Sequence, residues 1–366
     1  MKYNSSNEKI KNEKEKEPTY EPKANNQIRG ETCWNYFFIL CIVISIILII
    51  ASCFFVNNFK EEIRKQKHNS NYKWPGLSEL FPSLLILPII LIYKISIEYL
   101  SKGIVESCLA KKYKEPKNEK FKNLAKIYRY KLGYHIYKMS FYFGITIFGY
   151  IILNKFDYFP KSMLGSGNMS NMFSKGYPDS YFYERTPLFI LYYNITLAFF
   201  LTDFIFLIKK ERQSDFINML LHHICTISLI IFSYMTNYSK IGVLVIFCHM
   251  ESDILLHVMR FFLQTDHNII VNIVGTAFTS NFIYMRQYVF GEIIYTIYKK
   301  ITWTWGLITT SLWLFLVILY IMHLHWSYVL VSRLIEMLIS KNKLIDYANY
   351  DDCIKNGKKK DDKKGD

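Results

Sequence analysis

The apolar residues of this chain arrive in blocks of about twenty, the length a helix needs to cross a bilayer, and that grouping limits the fold more than any motif does. The first block, Trp34 to Val56, reads WNYFFILCIVISIILIIASCFFV without a single charge. Backbone in lipid must satisfy its own hydrogen bonds, so such a block is helical. Further blocks fall at about 80–100, 134–153, 186–208, 217–235, 241–263, 269–290 and 303–330. The expected fold class is all-α, a polytopic membrane protein with about eight transmembrane helices.

The segments between the blocks fix an expected orientation. The net charge of +15 sits almost wholly there, which fits lipid headgroups and the positive-inside rule. No basic stripe interleaved with aromatics is present, so no nucleic-acid partner is expected. The seven cysteines are scattered without CxxC spacing and read as packing residues, with no disulfide framework and no metal site. Residues 1–33 form a charged, flexible tail. They are not expected to belong to a cleaved leader, because Trp34 to Val56 is longer than an h-region and lacks a convincing small-residue cleavage site. Residues 34–133 carry two N-terminal helices and the basic loop Ser101 to Lys131. In the second helix, Lys94 and Glu98 stand at i,i+4 and are expected to pair or to reach the interface. Residues 134–335 hold six helices, and 336–366 form a charged tail. An even number of spans puts both termini on one side, and the basic loop makes that side the cytosol. The sequon Asn168-Met169-Ser170 then falls in a lumenal loop, and the final Lys363-Lys364-Gly365-Asp366 matches a dilysine retrieval signal. The expected location is the endoplasmic reticulum membrane, with both termini cytosolic.

Chemistry concentrates between Leu220 and Phe262, where His222, His223, His249, Asp253 and His257 interrupt two apolar helices. Ionisable groups at such depth are expensive and mark function by default. Residues 249, 253 and 257 share one stripe, and adjacent histidines point about 100° apart, so one of the pair is expected to react and the other to position. Asp253 is the expected orienter of the reacting imidazole, which can remove a proton or attack an activated acyl group. Three other readings use the same residues: satisfied interhelical hydrogen bonds, a metal site chelated by His249, Asp253 and the histidine pair, and a proton relay in a transporter. No HExxH pattern supports the metal, and no paired Gly or Pro interruptions support the transporter.

The stretch LHHICTISLIIFSYMTNYSKIGVLVIFCHMESDILL resembles the Lag1 motif of ceramide synthases, within the TLC (TRAM, Lag1, CLN8) domain. The matching positions are His222, His223, Thr226, Ile227, Phe232, Ser233, Tyr234, Asn237, Ile241, Gly242, Leu244, Val245, His249, Ser252, Asp253 and Leu256. Phe141-Tyr142, Tyr177-Pro178, Tyr192-Tyr193, Asp215-Phe216, Arg286 and His325-Trp326 extend the resemblance over about residues 75–335. The six helices from 134 onward would form a TLC bundle. Two positions depart from the motif: its first aspartate is Met250 here, with Glu251 next to it, and its glutamate is His257.

The resemblance implies transfer of a fatty acyl group from acyl-CoA, the co-substrate, to the amine of a sphingoid long-chain base, with no bound cofactor. His222, His223, Asp253 and His249 would carry the reaction, with Arg286, Glu251 and Ser252 beside them. Lys209, Lys210, Arg212, Arg260 and Arg333 are candidate contacts for the CoA phosphates. Membrane lipids are the surroundings, and the resemblance leaves room for a homo- or heterodimer. A non-catalytic lipid-handling or translocon-associated TLC protein is the alternative, to which Met250 and His257 would point.

Overall fold

The computed structural model describes residues 25–67, 74–109, 111–114, 119–173, 186–209, 215–265, 267–300 and 306–340. Among them there is no β-strand. The elements are helices α1 (Asn25–Lys67), α2 (Pro82–Leu100), α3 (Lys102–Cys108), α4 (Lys111–Lys114), α5 (Glu119–Leu153), α6 (Pro187–Lys209), α7 (Phe216–Met235), α8 (Ser239–Phe262), α9 (Asn268–Ile283), α10 (Phe290–Lys300) and α11 (Leu307–Ser340). Among the described residues, seven helices are long and apolar enough to cross a membrane: those holding Trp34–Glu62, Leu77–Leu100, Lys122–Leu153, Pro187–Lys209, Phe216–Met235, Ser239–Phe262 and Leu307–Glu336.

The expected eighth span, 269–290, takes another form. The chain is helical from Asn268 to Lys300, but a π turn at Tyr284–Val289 divides it into α9 and α10. Neither piece alone has the length of a span, though the unbroken run from Asn268 to Lys300 does. Such turns insert one residue into a helix, and they concentrate at functional sites. The basic stretch expected as a loop over 101–131 also differs, since α3, α4 and the start of α5 occupy most of it. Its Lys, Glu, Leu and Ala residues are good helix formers, and α5 continues outward past the apolar block. The helix α1 begins at Asn25, within the stretch expected as a tail.

The helix α8 lies at the centre, packed against α5, α9 and α7. The helix α1 lies against α7 and α11, and α2 lies against α6 and α5. One contiguous core holds residues from α1, α2, α5, α6, α7, α8 and α11, among them Phe38, Tyr137, Tyr192, Leu221, Leu244 and Phe315, and a smaller cluster joins Met259 of α8 to Phe278 and Phe282 of α9. Apolar residues on the outer faces, such as Leu85, Ile92 and Phe54, stay exposed, as lipid-facing positions should.

The turn from α7 to α8 shows how local sequence sets this packing. Asn237 takes a left-handed backbone, φ 62°, which asparagine tolerates better than most residues. Five residues on, Gly242 lets α8 approach closely: a Cβ there would collide with the Tyr193 hydroxyl and come within 2.6 Å of Ser233 Oγ. Lys94 and Glu98 do pair, at 2.9 Å, with Lys94 buried.

Candidate active site in the helix bundle

His222 lies six residues into α7, about 9 Å along its axis. Its ring turns toward α8 and α11, at 6.3 Å from the His249 ring and nearly parallel to it, and at 5.6 Å from Trp326. His223 turns the other way, toward Phe200 and Phe204 of α6, each at 6.2 Å. The pair therefore splits as the helical 100° step requires, and His222 is the member that joins the cluster.

His249 donates from Nδ1 to the Val245 carbonyl at 2.7 Å, which fixes its proton there and leaves Nε2 a bare acceptor. Among the described residues, His249 Nε2 has no hydrogen-bond partner, nor do His222 Nδ1, His223 Nδ1 and Thr226 Oγ1. Buried polar atoms are almost always paired, so four orphans in one region mark a place built to meet something else.

Arg286 is the hub that the π turn brings inward. Its Nε donates to Ser252 Oγ (2.7 Å) and Nη2 to both the His249 carbonyl (3.0 Å) and Asp253 Oδ1 (2.7 Å). Its Nη1 donates to His323 Nε2 (3.1 Å), so neutral His323 carries its proton on Nδ1. The His323 ring lies 5.0 Å from that of His249. Asp253 is thus held by Arg286, with a further hydrogen bond from Tyr142, and the expected partnership with an imidazole is replaced by a buried ion pair. The Val245 carbonyl orients the His249 ring, and Arg286 orients the His323 ring.

The other expected residues divide. Ser252 is fully buried and bridges Arg286 and the His249 carbonyl. Glu251 faces α9, where Asn281 Nδ2 donates to it at 3.2 Å, and so does not stand in for the motif's missing aspartate. Met250 is fully buried in the core. His257 pairs with His135 of α5, Nδ1 to Nδ1 at 3.1 Å, and stacks on Tyr142 at 5.3 Å. Lys209 and Arg260 are exposed at the ends of α6 and α8 nearest the histidines, and Arg333 is half-buried near that end of α11. Lys210, Arg212, Tyr177-Pro178 and the dilysine tail lie outside the described residues. Among the described residues no three His, Cys, Asp or Glu side chains gather as a metal would need. His325 turns toward α1, its ring 4.7 Å from Trp34, whereas Trp326 faces His222.

Three participants went unread in the sequence. His323 continues a stripe of Leu312, Leu316 and Leu319 on α11, and that spacing was the available signal. Lys138 and Asp203 form an ion pair between α5 and α6, with the Lys138 ammonium 4.2 Å from the Phe199 ring. Nothing in their separate sequence contexts links them.

An apolar pocket runs away from the rings between α7, α8 and α11, with about 660 Å³ of empty space. His249 and Thr226 line one end, and Tyr238, Thr309, Ile297 and Trp313 line the other, with Leu229, Ile230, Val245 and Leu316 among the walls. The Tyr238 hydroxyl lies 3.3 Å from Thr309 Oγ1. Burial pushes Tyr238 up to about 12, against a lowering by that hydrogen bond, so it stays neutral.

Membrane-length helices around buried imidazoles and an apolar pocket define a polytopic membrane protein with an internal polar site. A family model for the TLC domain of TRAM, LAG1 and CLN8 proteins matches residues 131–332, and the chain belongs to that family. Among similar proteins, "Sphingosine N-acyltransferase lag1" of Schizosaccharomyces pombe is 31% identical over 112 residues, covering 31% of this chain and 29% of that protein. "Ceramide synthase LOH2" of Arabidopsis thaliana is 24% identical over 163 residues, 42% of this chain and 55% of the relative. "Ceramide synthase 5" of Homo sapiens is 28% identical over 155 residues, 40% and 38% respectively. The matched stretch is less than two thirds of each relative's length.

Proposed function

We propose that the protein is a ceramide synthase, moving a fatty acyl group from acyl-CoA to the amine of a sphingoid base and releasing CoA. The observation that carries this reading is the apolar pocket that ends on His249, with the His222 ring nearly parallel to it and buried nitrogens of both rings lacking partners. An acyl chain needs such a pocket, and a thioester carbonyl at its polar end would meet an imidazole. Relatives named for the same reaction support it.

Two routes use these positions. In one, His222 takes the proton of the incoming ammonium or amine, and nitrogen attacks the thioester carbonyl while the C–S bond breaks. In the other, His222 attacks first, CoA leaves as thiolate and takes up a proton, and the amine then displaces the imidazole from the acyl group. Arg286 acts through His249 and His323 as a positioning residue in both. The CoA phosphates would lie near Lys209, Arg260 and Arg333, at the histidine end, with Lys210 and Arg212 further candidates by sequence. The proposed setting is the endoplasmic reticulum membrane with both termini cytosolic.

Microsomes containing the full chain, supplied with acyl-CoA and sphinganine, test the reading. His222→Ala should abolish ceramide formation at unchanged protein level, and His223→Ala, on the ring turned toward α6, should lower it less. Robust product from His222→Ala would end the assignment. Incubating the protein with acyl-CoA alone, then searching for an acyl adduct by peptide mass spectrometry, separates the routes: an adduct on His222 selects the second and its absence the first.

A further inference from the structure

The two adjacent histidines serve opposite sides of α7, and the side that His223 faces holds an ion pair with no task assigned so far. The His223 ring packs against Phe200 and Phe204 of α6, and Asp203 stands on that same turn of helix. Asp203 is six residues before the end of α6 and His223 seven residues into α7. Both therefore lie about 9–10 Å from the histidine end of these neighbouring helices. Lys138 of α5 pairs with Asp203 through Oδ2, its own side chain only 2% exposed. Both charges act on His223, the carboxylate more strongly than the ammonium. His223 is itself buried, and its Nδ1 has no hydrogen-bond partner among the described residues. A carboxylate held at one oxygen still accepts at the other, so Asp203 can take a second donor.

The amine arrives as an ammonium, because an alkyl amine with a pKa of about 10 is neutral in only about one molecule in a thousand at pH 7. Its nitrogen attacks only after giving up a proton. In the second route above, the His222 ring carries the acyl group and cannot take that proton, while the His223 ring lies 5.6 Å away. We propose that His223 is the base for the amine and that Asp203, pinned by Lys138, is its positioning residue. Asp203 accepts from Nδ1–H, which leaves Nε2 to take the proton and offsets the imidazolium that results. The partnership expected of Asp253 is thus supplied from α6. Of the two protons the nitrogen loses, one passes to His223 and then to water, and the other ends on the departing His222 ring as its bond to the acyl carbon breaks. This rests on the acyl-transfer reading and gives its second route the base it otherwise lacks.

The test compares two long-chain nucleophiles on the full chain in lipid nanodiscs, with hexadecanoyl-CoA as donor: sphinganine, an ammonium at neutral pH, and a long-chain alkoxyamine, whose nitrogen is already unprotonated there. The variants are Asp203→Asn and Lys138→Met/Asp203→Leu, the second of which leaves no buried charge stranded. Each should lower transfer to sphinganine by about 100-fold while transfer to the alkoxyamine and thermal stabilisation by the acyl-CoA stay close to those of the unaltered chain. Equal losses with both nucleophiles overturn the proposal and leave the acyltransferase reading standing. So does sphinganine transfer that returns together with stability in the double variant, because the pair would then serve packing alone. If the unaltered chain transfers to neither nucleophile, the acyltransferase reading falls and takes this inference with it. If Asp203→Asn does not fold, the double variant decides alone.

Discussion

Replacing Arg286 with methionine probes the arrangement most directly. The guanidinium makes four hydrogen bonds within 3.1 Å, and its side chain is only 3% exposed. Methionine fills comparable space but leaves Asp253 Oδ1, Ser252 Oγ, the His249 carbonyl and His323 Nε2 without that donor. Breaking a buried pair by removing one partner costs about 3–5 kcal/mol, most of it from the stranded carboxylate. Asp253→Asn removes that charge. In Arg286→Met/Asp253→Asn the stranded-charge part of the loss should disappear, giving a coupling of about 2–3 kcal/mol in a double-mutant cycle. Unfolding of the purified protein by SDS in mixed micelles measures each corner. The same variants report function: Arg286→Met should lower turnover more than acyl-CoA affinity, because the His323 ring and the His249 carbonyl lose their donor while the pocket walls remain. A loss under about 1 kcal/mol for Arg286→Met, or additive effects of the two changes, would refute the claim that this ion pair holds α8 and the π turn together.

Three other outcomes rest on single contacts. Lys138→Met should destabilise by about 3 kcal/mol in the same unfolding assay, and Lys138→Met/Asp203→Leu should restore most of it. Gly242→Ala should cost about 1–3 kcal/mol, because its methyl would push α8 away from Tyr193 and Ser233, whereas Gly103→Ala, with open space around it, should cost nothing measurable by thermal unfolding. Asn168 is exposed, with its Oδ1 accepting from the Ser170 amide; Asn168→Gln should abolish an endoglycosidase-sensitive gel shift if that loop is lumenal, and absence of any shift in the unaltered chain would contradict the proposed orientation.

The spans are legible in the sequence because the bilayer dictates their length whatever they pack against, and the apolar blocks record it directly. The His249–Asp253–His257 stripe is legible for a similar reason, since helical periodicity is local. Tertiary pairing is not local, and the sequence does not reveal it. Asp253 meets Arg286, thirty-three residues away, instead of an imidazole, and His257 meets His135 across the bundle. The π turn leaves no mark in YMRQYV, although Arg286 within it makes contacts with residues distant in sequence. The basic segment over 101–131 reads by charge as a loop, yet charge does not oppose helix, and α5 runs through it.

That π turn bears on how the site tolerates change. One surplus residue offsets everything beyond it by about 100° relative to a regular helix. Removing a single residue between Tyr284 and Val289 would restore the regular winding and swing Phe290, Ile293 and Ile297 from the interior toward the lipid, while withdrawing Arg286 from its carboxylate. Insertions and deletions there are thus far costlier than most substitutions, so the segment should behave as a fixed-length hinge pin whose residue count is guarded more strictly than its composition.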